Sequence, residues 1–532
     1  MEGVMPNATA KGSDNTHYTA EDLPLTFKNI NPYSADGRPP EGAPDWIWQI
    51  DHPYLHGLFA PVNSEVSMDD LVVESGEIPA DLEGMYVVNG PCQRFKPKTK
   101  YHYYDGDGML HAIQFRGGKA SYNSKWIRTF EFLEEDKAQE NIWPGICGPY
   151  NFDLPHSPIK DNSNTDVIFY AGKLLSLWYM AGQPYSIDPH SLETFGPENF
   201  NNKMNHNLSA HSQVDPRTGE LLFFNYQDKE PYMSYGVANA EGELLLDIPI
   251  DIPGPRSPHD MGVTPNYSIL HDLPFFHDVD TLRKHKKRVV TFHRDIPARF
   301  GIIPRHGQSH QIRWFEAEPC YILHVVNCWE DGEEVVMVGC RQPSPGGRRD
   351  PMEGPLASQL AERRRLHQLW EWRFNLRTGE TTECGLDDTN TEFPTINRLW
   401  VGQKNRYSYH QYIPLIGEEG NISGRCQTFD ALFKYDITDG RYQRYNYGKG
   451  VCGSETHFAP RKGVSVSSNA EEDDGYLVTF THDSRDWTSR CLIFDARDIE
   501  QGPVTTIRMP RRFHAGFHAM WVRGDELWPT AS

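Results

Sequence analysis

The chain has 532 residues, of which 38% are hydrophobic, 12% aromatic and 23% charged. That composition suits a globular, β-rich protein with a sizeable core and argues against disorder. Its 73 acidic residues outweigh 52 basic ones, giving a formal net charge of -21, which excludes a nucleic-acid binder because phosphate neutralisation needs a positive face.

Residues 1–45 are polar, rich in Gly, Pro, Ser and Asn, and show no periodicity; they read as a flexible or loosely docked arm. Residues 46–532 read as one domain. Within it, short β-branched or aromatic runs alternate with Gly, Asn and Asp, which is the pattern of strands and turns. Examples are Glu83 to Gly90, Asp166 to Leu175, Glu334 to Gly339, Gly475 to Phe480 and Cys491 to Asp495. The best helical candidate, Leu356 to Trp372, carries the charged run Glu362-Arg363-Arg364-Arg365. Many short strands over this length favour a propeller or stacked sandwiches, although no repeat at a blade-like period is visible.

The nine cysteines form no C-x-x-C pair, and no signal peptide or membrane-spanning apolar run is found. The expectation is reduced thiols in a cytoplasmic protein, with Asn207 and Asn421 as chance glycosylation matches. One basic cluster, Arg283-Lys284-His285-Lys286-Lys287-Arg288, runs against the overall charge. It reads as a solvated turn, with peripheral contact to an anionic membrane as the alternative.

Four separated histidines stand out: His211 after Ser209-Ala210, His259 before Asp260, His324 before Val325-Val326-Asn327, and His518 between Phe517 and Ala519-Met520-Trp521. Imidazole nitrogen suits iron, zinc, copper and nickel. Four neutral histidines with no carboxylate beside the metal would leave a divalent ion its full charge, which favours ferrous iron with open positions for dioxygen. No nucleophile motif, dinucleotide fingerprint or phosphate loop accompanies them.

These contexts, in this order, resemble the carotenoid cleavage oxygenases. Further segments carry the resemblance: Gly76-Glu77-Ile78-Pro79, Leu82 to Tyr86, Asn89-Gly90-Pro91, Tyr104-Asp105-Gly106-Asp107-Gly108-Met109, Gly301 to Arg305, Ile312 to Phe315, and Asn327 to Gly332. The resemblance implies a seven-bladed β-propeller with Fe(II) on its axis, held by His211, His259, His324 and His518. Loops and short helices would roof one face. His514, four residues before His518, is the competing choice for the last ligand.

The family supports its histidines with three glutamates. By resemblance Glu392, in Glu392-Phe393-Pro394, is one and Glu472 is another, with Glu471 as the alternative register. The third has no match, because Tyr179 or Met180 stands where the acid belongs, ahead of Gly182-Gln183-Pro184-Tyr185. Thr165, in Asn164-Thr165-Asp166, resembles the threonine that reaches toward the open iron position.

The implied reaction is oxygen-dependent scission of a C=C bond in a small hydrophobic alkene, giving aldehyde or ketone products. Members of the family that cleave hydroxystilbenes grip a phenolate with a lysine, expected near Glu131 in Arg128-Thr129-Phe130-Glu131. A carboxylate there would oppose phenolate formation. A carotenoid or apocarotenoid is therefore the expected substrate, with a hydroxystilbene or phenylpropenoid as the alternative. A non-oxidative isomerase and a non-catalytic propeller are the remaining readings.

Overall fold

The computed structural model describes residues 42–50, 52–346, 361, 364–415 and 427–529. Apart from residues 42–45, the expected N-terminal arm lies outside them. Seven antiparallel sheets follow one another around a ring and make a seven-bladed β-propeller. The strands are short because each blade fans out from a crowded axis, and the Gly- and Asp-rich turns seen in the sequence reverse the chain between them.

In five consecutive blades the first strand is the inner edge of its sheet. These inner strands are Asp166–Tyr170 in blade 2, Gln213–Val214 in blade 3, Gly262–Val263 in blade 4, Tyr321–Asp331 in blade 5 and Thr391–Thr395 in blade 6. Blade 7 has Val451–Gly453 and His457–Pro460 side by side, both paired to Gly475–Asp483.

Blade 1 closes the ring. Its inner strand is Ala519–Arg523 from the far end of the chain, paired to Gly84–Pro91 with Met85 opposite Val522 and Val87 opposite Met520. Blade 7 is mixed in the same way, since Val73–Gly76 pairs with Thr505–Arg508.

The core lies between blades rather than at one centre. Val87 and Leu110 of blade 1 pack with Val167 and Leu175 of blade 2 and Phe223 of blade 3. A second cluster joins Val237, Val263, Val338 and Phe433 across blades 3 to 6. Each such side chain contributes about 1.5–3 kcal/mol when fully buried, so stability is distributed around the ring.

Of the expected helix at Leu356 to Trp372, Ala361 is helical, but the helix does not extend to Trp372. The end of that span belongs to the strand Gln368–Asn375, with Leu369, Trp372 and Phe374 buried; packing of these side chains against neighbouring strands outweighs the helical propensity of the charged run before them. Residues 356–360 and 362–363 lie outside the described part. Two short helices, Phe130–Ala138 and Val279–His285, and the hairpin Phe275–His277 with Val290–Phe292 stand apart from the blades. Among the described residues no helix is long and apolar enough to cross a membrane.

Candidate metal centre on the propeller axis

Each blade carries a polar residue within or just ahead of its inner strand. In chain order they are Thr165, His211, His259, His324, Glu392, Glu455 and His518. One nitrogen from each of the four histidines falls within a single cluster whose members lie within 4.8 Å of one another. His211 Nε2 is 3.0 Å from His259 Nε2, and ring centroids in the five contacting pairs stand 4.5 to 5.2 Å apart.

The backbone bends to achieve this. His211 itself has φ of 61° and Phe393, beside Glu392, has φ of 52°, a region that bulky residues rarely adopt and that collects at functional sites. The pairing register slips on either side of Val325 and again between Glu392 and Thr395. Such bulges re-aim a side chain out of the regular alternation.

The far edges of two rings are held by carboxylates. His324 Nδ1 donates to Glu392 Oε2 at 2.5 Å, and His518 Nδ1 donates to Glu455 Oε1 at 3.0 Å. Asp166 Oδ2 lies 3.6 Å from His211 Nδ1 and accepts the His211 backbone N–H at 3.3 Å. Asp260 ties two ligand segments together by accepting the Val325 N–H at 2.7 Å. These contacts fix tautomer and orientation, so that Nε2 faces the axis.

Burial, reinforced by the neighbouring histidines, holds the His211 and His259 imidazoles well below their ordinary range. They are therefore neutral, with a lone pair free to bind a metal. Burial works against the Glu455 carboxylate, yet the adjacent His518 and His457 hold it at about 2. His324 Nε2 is buried with no hydrogen-bond partner. An orphaned buried nitrogen costs about 1–3 kcal/mol, and coordination to a metal at the centre of the cluster accounts for it. The donor set fits a transition-metal ion.

The family model described as RPE65, retinal pigment epithelial membrane protein, matches residues 59–523. The chain belongs to the RPE65/carotenoid cleavage oxygenase family. It is similar to the Pisum sativum protein named carotenoid 9,10(9',10')-cleavage dioxygenase 1, with 33% identity over 506 residues, 91% of this chain and 92% of that one. Among solved structures, Pseudomonas brassicacearum lignostilbene dioxygenase matches with a TM-score of 0.79 at 24% identity, covering 89% of this chain and 99% of the other. A cobalt-substituted Synechocystis apocarotenoid oxygenase matches with a TM-score of 0.75 at 25% identity, covering 87% and 97%.

As a carotenoid cleavage oxygenase, the chain is an enzyme of a dioxygenase family, with two departures from the site expected of it. Glu472 does not support a histidine. Its carboxylate accepts the backbone N–H groups of Arg406 and Tyr407, each at 2.7 Å, because it sits in the connection before Gly475–Asp483, beside blade 6. Glu471 is exposed. The partner of His518 is Glu455, in Gly453-Ser454-Glu455-Thr456-His457; its position just ahead of an inner strand is the signal that finds it.

The second departure concerns His259. Among the described residues no carboxylate pairs with its Nδ1. The Tyr179 ring centroid is 6.0 Å from that of His259, whereas Met180 faces a different cavity. Neither replaces the missing acid. His514 is no member of the cluster either, since its Nδ1 is 3.1 Å from His111 Nε2 in a buried pair.

Thr165 lines the cavity above the histidines, and its hydroxyl accepts the Tyr179 N–H at 3.1 Å and donates to Asn164 Oδ1 at 3.2 Å. That cavity is bounded by Phe59, Tyr103, Phe393 and Phe517 as well as His259, His324 and His518. A wider space of about 470 Å³ continues from it past Tyr104, Tyr179 and Leu323. Phe275 lines this space, whereas Phe315 belongs to the core and Phe276 lies under the Arg256 guanidinium. Below the cluster, a third cavity of about 130 Å³ touches His211, His324 and His518. Glu131 lines none of these but an outer cavity, together with Asp161, so it says nothing about the substrate at the histidines.

Proposed function

We propose that this protein is an iron(II)-dependent dioxygenase that cleaves a C=C bond of a carotenoid or apocarotenoid to carbonyl products. The observation that carries the reading is the set of four axial histidine nitrogens at the floor of an aromatic-walled cavity. His211, His259, His324 and His518 would hold the metal, with Glu392 and Glu455 fixing the rings of His324 and His518. When bound there, iron supplies dioxygen binding and activation, chemistry that imidazole ligation supports.

The protein's own part is positional. Phe59, Phe393 and Phe517 bound a space that favours an apolar alkene and excludes water. Thr165 lines it with His259 and His518, where it would border the open side of a metal held by the histidines and help position the alkene. Holding one double bond next to the metal replaces a bimolecular encounter with an oriented one.

A long polyene is supported by the similarity to a carotenoid-cleaving relative and by the length of the connected cavities. The second reading, a hydroxystilbene, draws on Tyr103, Tyr104 and Tyr179, whose rings line the same space and could receive a phenol. The eight cysteines of the described residues are all free thiols, which supports a reducing, cytoplasmic setting.

The deciding experiment offers iron(II)-loaded protein an apocarotenal and a 4-hydroxystilbene together, with an oxygen-free control, and identifies products by mass spectrometry. Oxygen-dependent aldehydes from the polyene are expected. Products from the stilbene alone would transfer the assignment to the second reading, and turnover without oxygen would replace dioxygenase chemistry with isomerisation.

A further inference from the structure

The wide cavity that reaches His259 has an unusual charge for this chain. Four cations line it, Lys100, Lys287, Arg288 and Arg365, and among the described residues no Asp or Glu lines it, although acids outnumber bases by 73 to 52 overall. Lys100 and Lys287 are exposed and mark the mouth, while Arg288 and Arg365 are half-buried further in. Arg288 stands among Tyr179, Tyr150, Tyr226 and Tyr321. Among the described residues its guanidinium hydrogen-bonds Ser257 Oγ, at 3.3 Å, and makes no ion pair with a carboxylate. The acids of the neighbourhood, Glu131, Asp161 and Asp228, line a separate outer cavity that Arg288 also borders.

A guanidinium withdrawn from bulk water without a carboxylate partner is costly unless an anion arrives to pair with it. Guanidinium and carboxylate match as two parallel N–H···O bonds. The tyrosine rings and Phe275 around it suit an apolar chain behind the charged group.

We propose that this space takes the carboxylate end of a polyene acid, with Arg288 as the specificity-determining residue and Lys100 and Lys287 drawing the anion inward. This rests on the alkene-cleavage reading above. A carboxylate is favoured over a phenol because it is ionised at neutral pH, whereas a phenol titrates near pH 10 and would first have to lose its proton. The adjoining Arg283, Lys284, His285 and Lys286 are exposed and outside the cavity, so anionic lipid at the mouth is the rival use of these charges.

The test compares an apocarotenoic acid with its methyl ester, using iron-loaded full-length wild type, Arg288→Gln and Lys287→Gln. Wild type is expected to favour the acid at least about tenfold in kcat/KM, a preference that weakens with added salt. Arg288→Gln should bring the acid-to-ester ratio close to one. Lys287→Gln, at the exposed rim, should lower it about threefold and keeps the test open if Arg288→Gln does not fold. A wild-type ratio of one overturns the proposal. So does a ratio of one accompanied by flotation with phosphatidylserine vesicles that the Lys287 variant loses, which would assign the cations to a membrane. If wild type cleaves neither compound, the functional reading fails, and quenching of intrinsic fluorescence still decides the subsite. Tighter binding of acid than ester then supports it, and equal binding overturns it.

Discussion

The Glu455 carboxylate bridges the His518 ring and the strand that begins beside it. One oxygen accepts from His518 Nδ1 at 3.0 Å and the other from the Ala519 N–H at 2.5 Å. Loss of such a partner typically costs about 10- to 100-fold in metal affinity. Glu455→Gln is expected to lose metal by that factor, read as metal per protein after dialysis against a graded chelator. Glu472→Gln should keep the wild-type stoichiometry, because its oxygens serve Arg406 and Tyr407. Equal losses in the two variants would undo the distinction drawn between them.

Among the described residues His259 lacks the carboxylate support that His324 and His518 enjoy. A ligand without it is less basic and less firmly oriented. Replacing His259 by Ala should therefore lower metal affinity by about 10-fold less than replacing His324 or His518. Competition against a chelator of known affinity gives the three values directly, and the expected order fails if His259→Ala is the worst of them.

Lys160 is buried between two carboxylates, Asp107 and Glu135, with its Nζ 2.6 Å from Glu135 Oε2. Removing the cation leaves both acids buried and uncompensated. Lys160→Met is expected to destabilise the fold by about 3–5 kcal/mol, measured by denaturant unfolding. A change under about 1 kcal/mol would mean that water reaches these acids.

Glu131 and Asp161 face one another in the outer cavity. Burial first, and then the neighbouring acid, pushes Glu131 up to about 8; burial pushes Asp161 up to about 7. An acid whose folded pKa lies above its unfolded one destabilises the native state as it ionises. Stability contributed by the protonated pair is present below about pH 4.5, the ordinary glutamate value, and is lost as pH rises toward 8. Glu131→Gln should therefore melt at higher temperature than wild type at pH 8.5 and show little gain at pH 5. A pH-independent difference would contradict the burial argument.

Much of the axial site was legible because a histidine beside small or aromatic residues is a local signature. His211, His259, His324 and His518 converge on one cluster, and Glu392 meets His324. Glu472 misled because a chain with 73 acids offers many candidates near any expected spacing. What separates Glu455 from Glu472 is which strand of the blade follows, and strand order within a sheet is set by long-range pairing rather than by neighbours in sequence. The same holds for Asp166, whose closeness to His211 depends on two blades meeting. The propeller itself was invisible as a repeat, since its blades share geometry but fill their interfaces with different residues, such as Leu175 in one and Phe433 in another.

The pairing of Ala519–Arg523 with Gly84–Pro91 has a consequence for how metal leaves. His518 sits at the hinge of that seam, while the remaining histidines belong to three other blades, so no single blade can peel away and carry the whole nest of ligands with it. Release by that route is governed by the rate at which the seam parts, a kinetic rather than an equilibrium quantity, whereas the cavities that reach His259 and His518 offer a path that leaves the ring closed. A half-life of the bound metal under a strong scavenger that lengthens when the seam is strengthened would mark the circle as the gate.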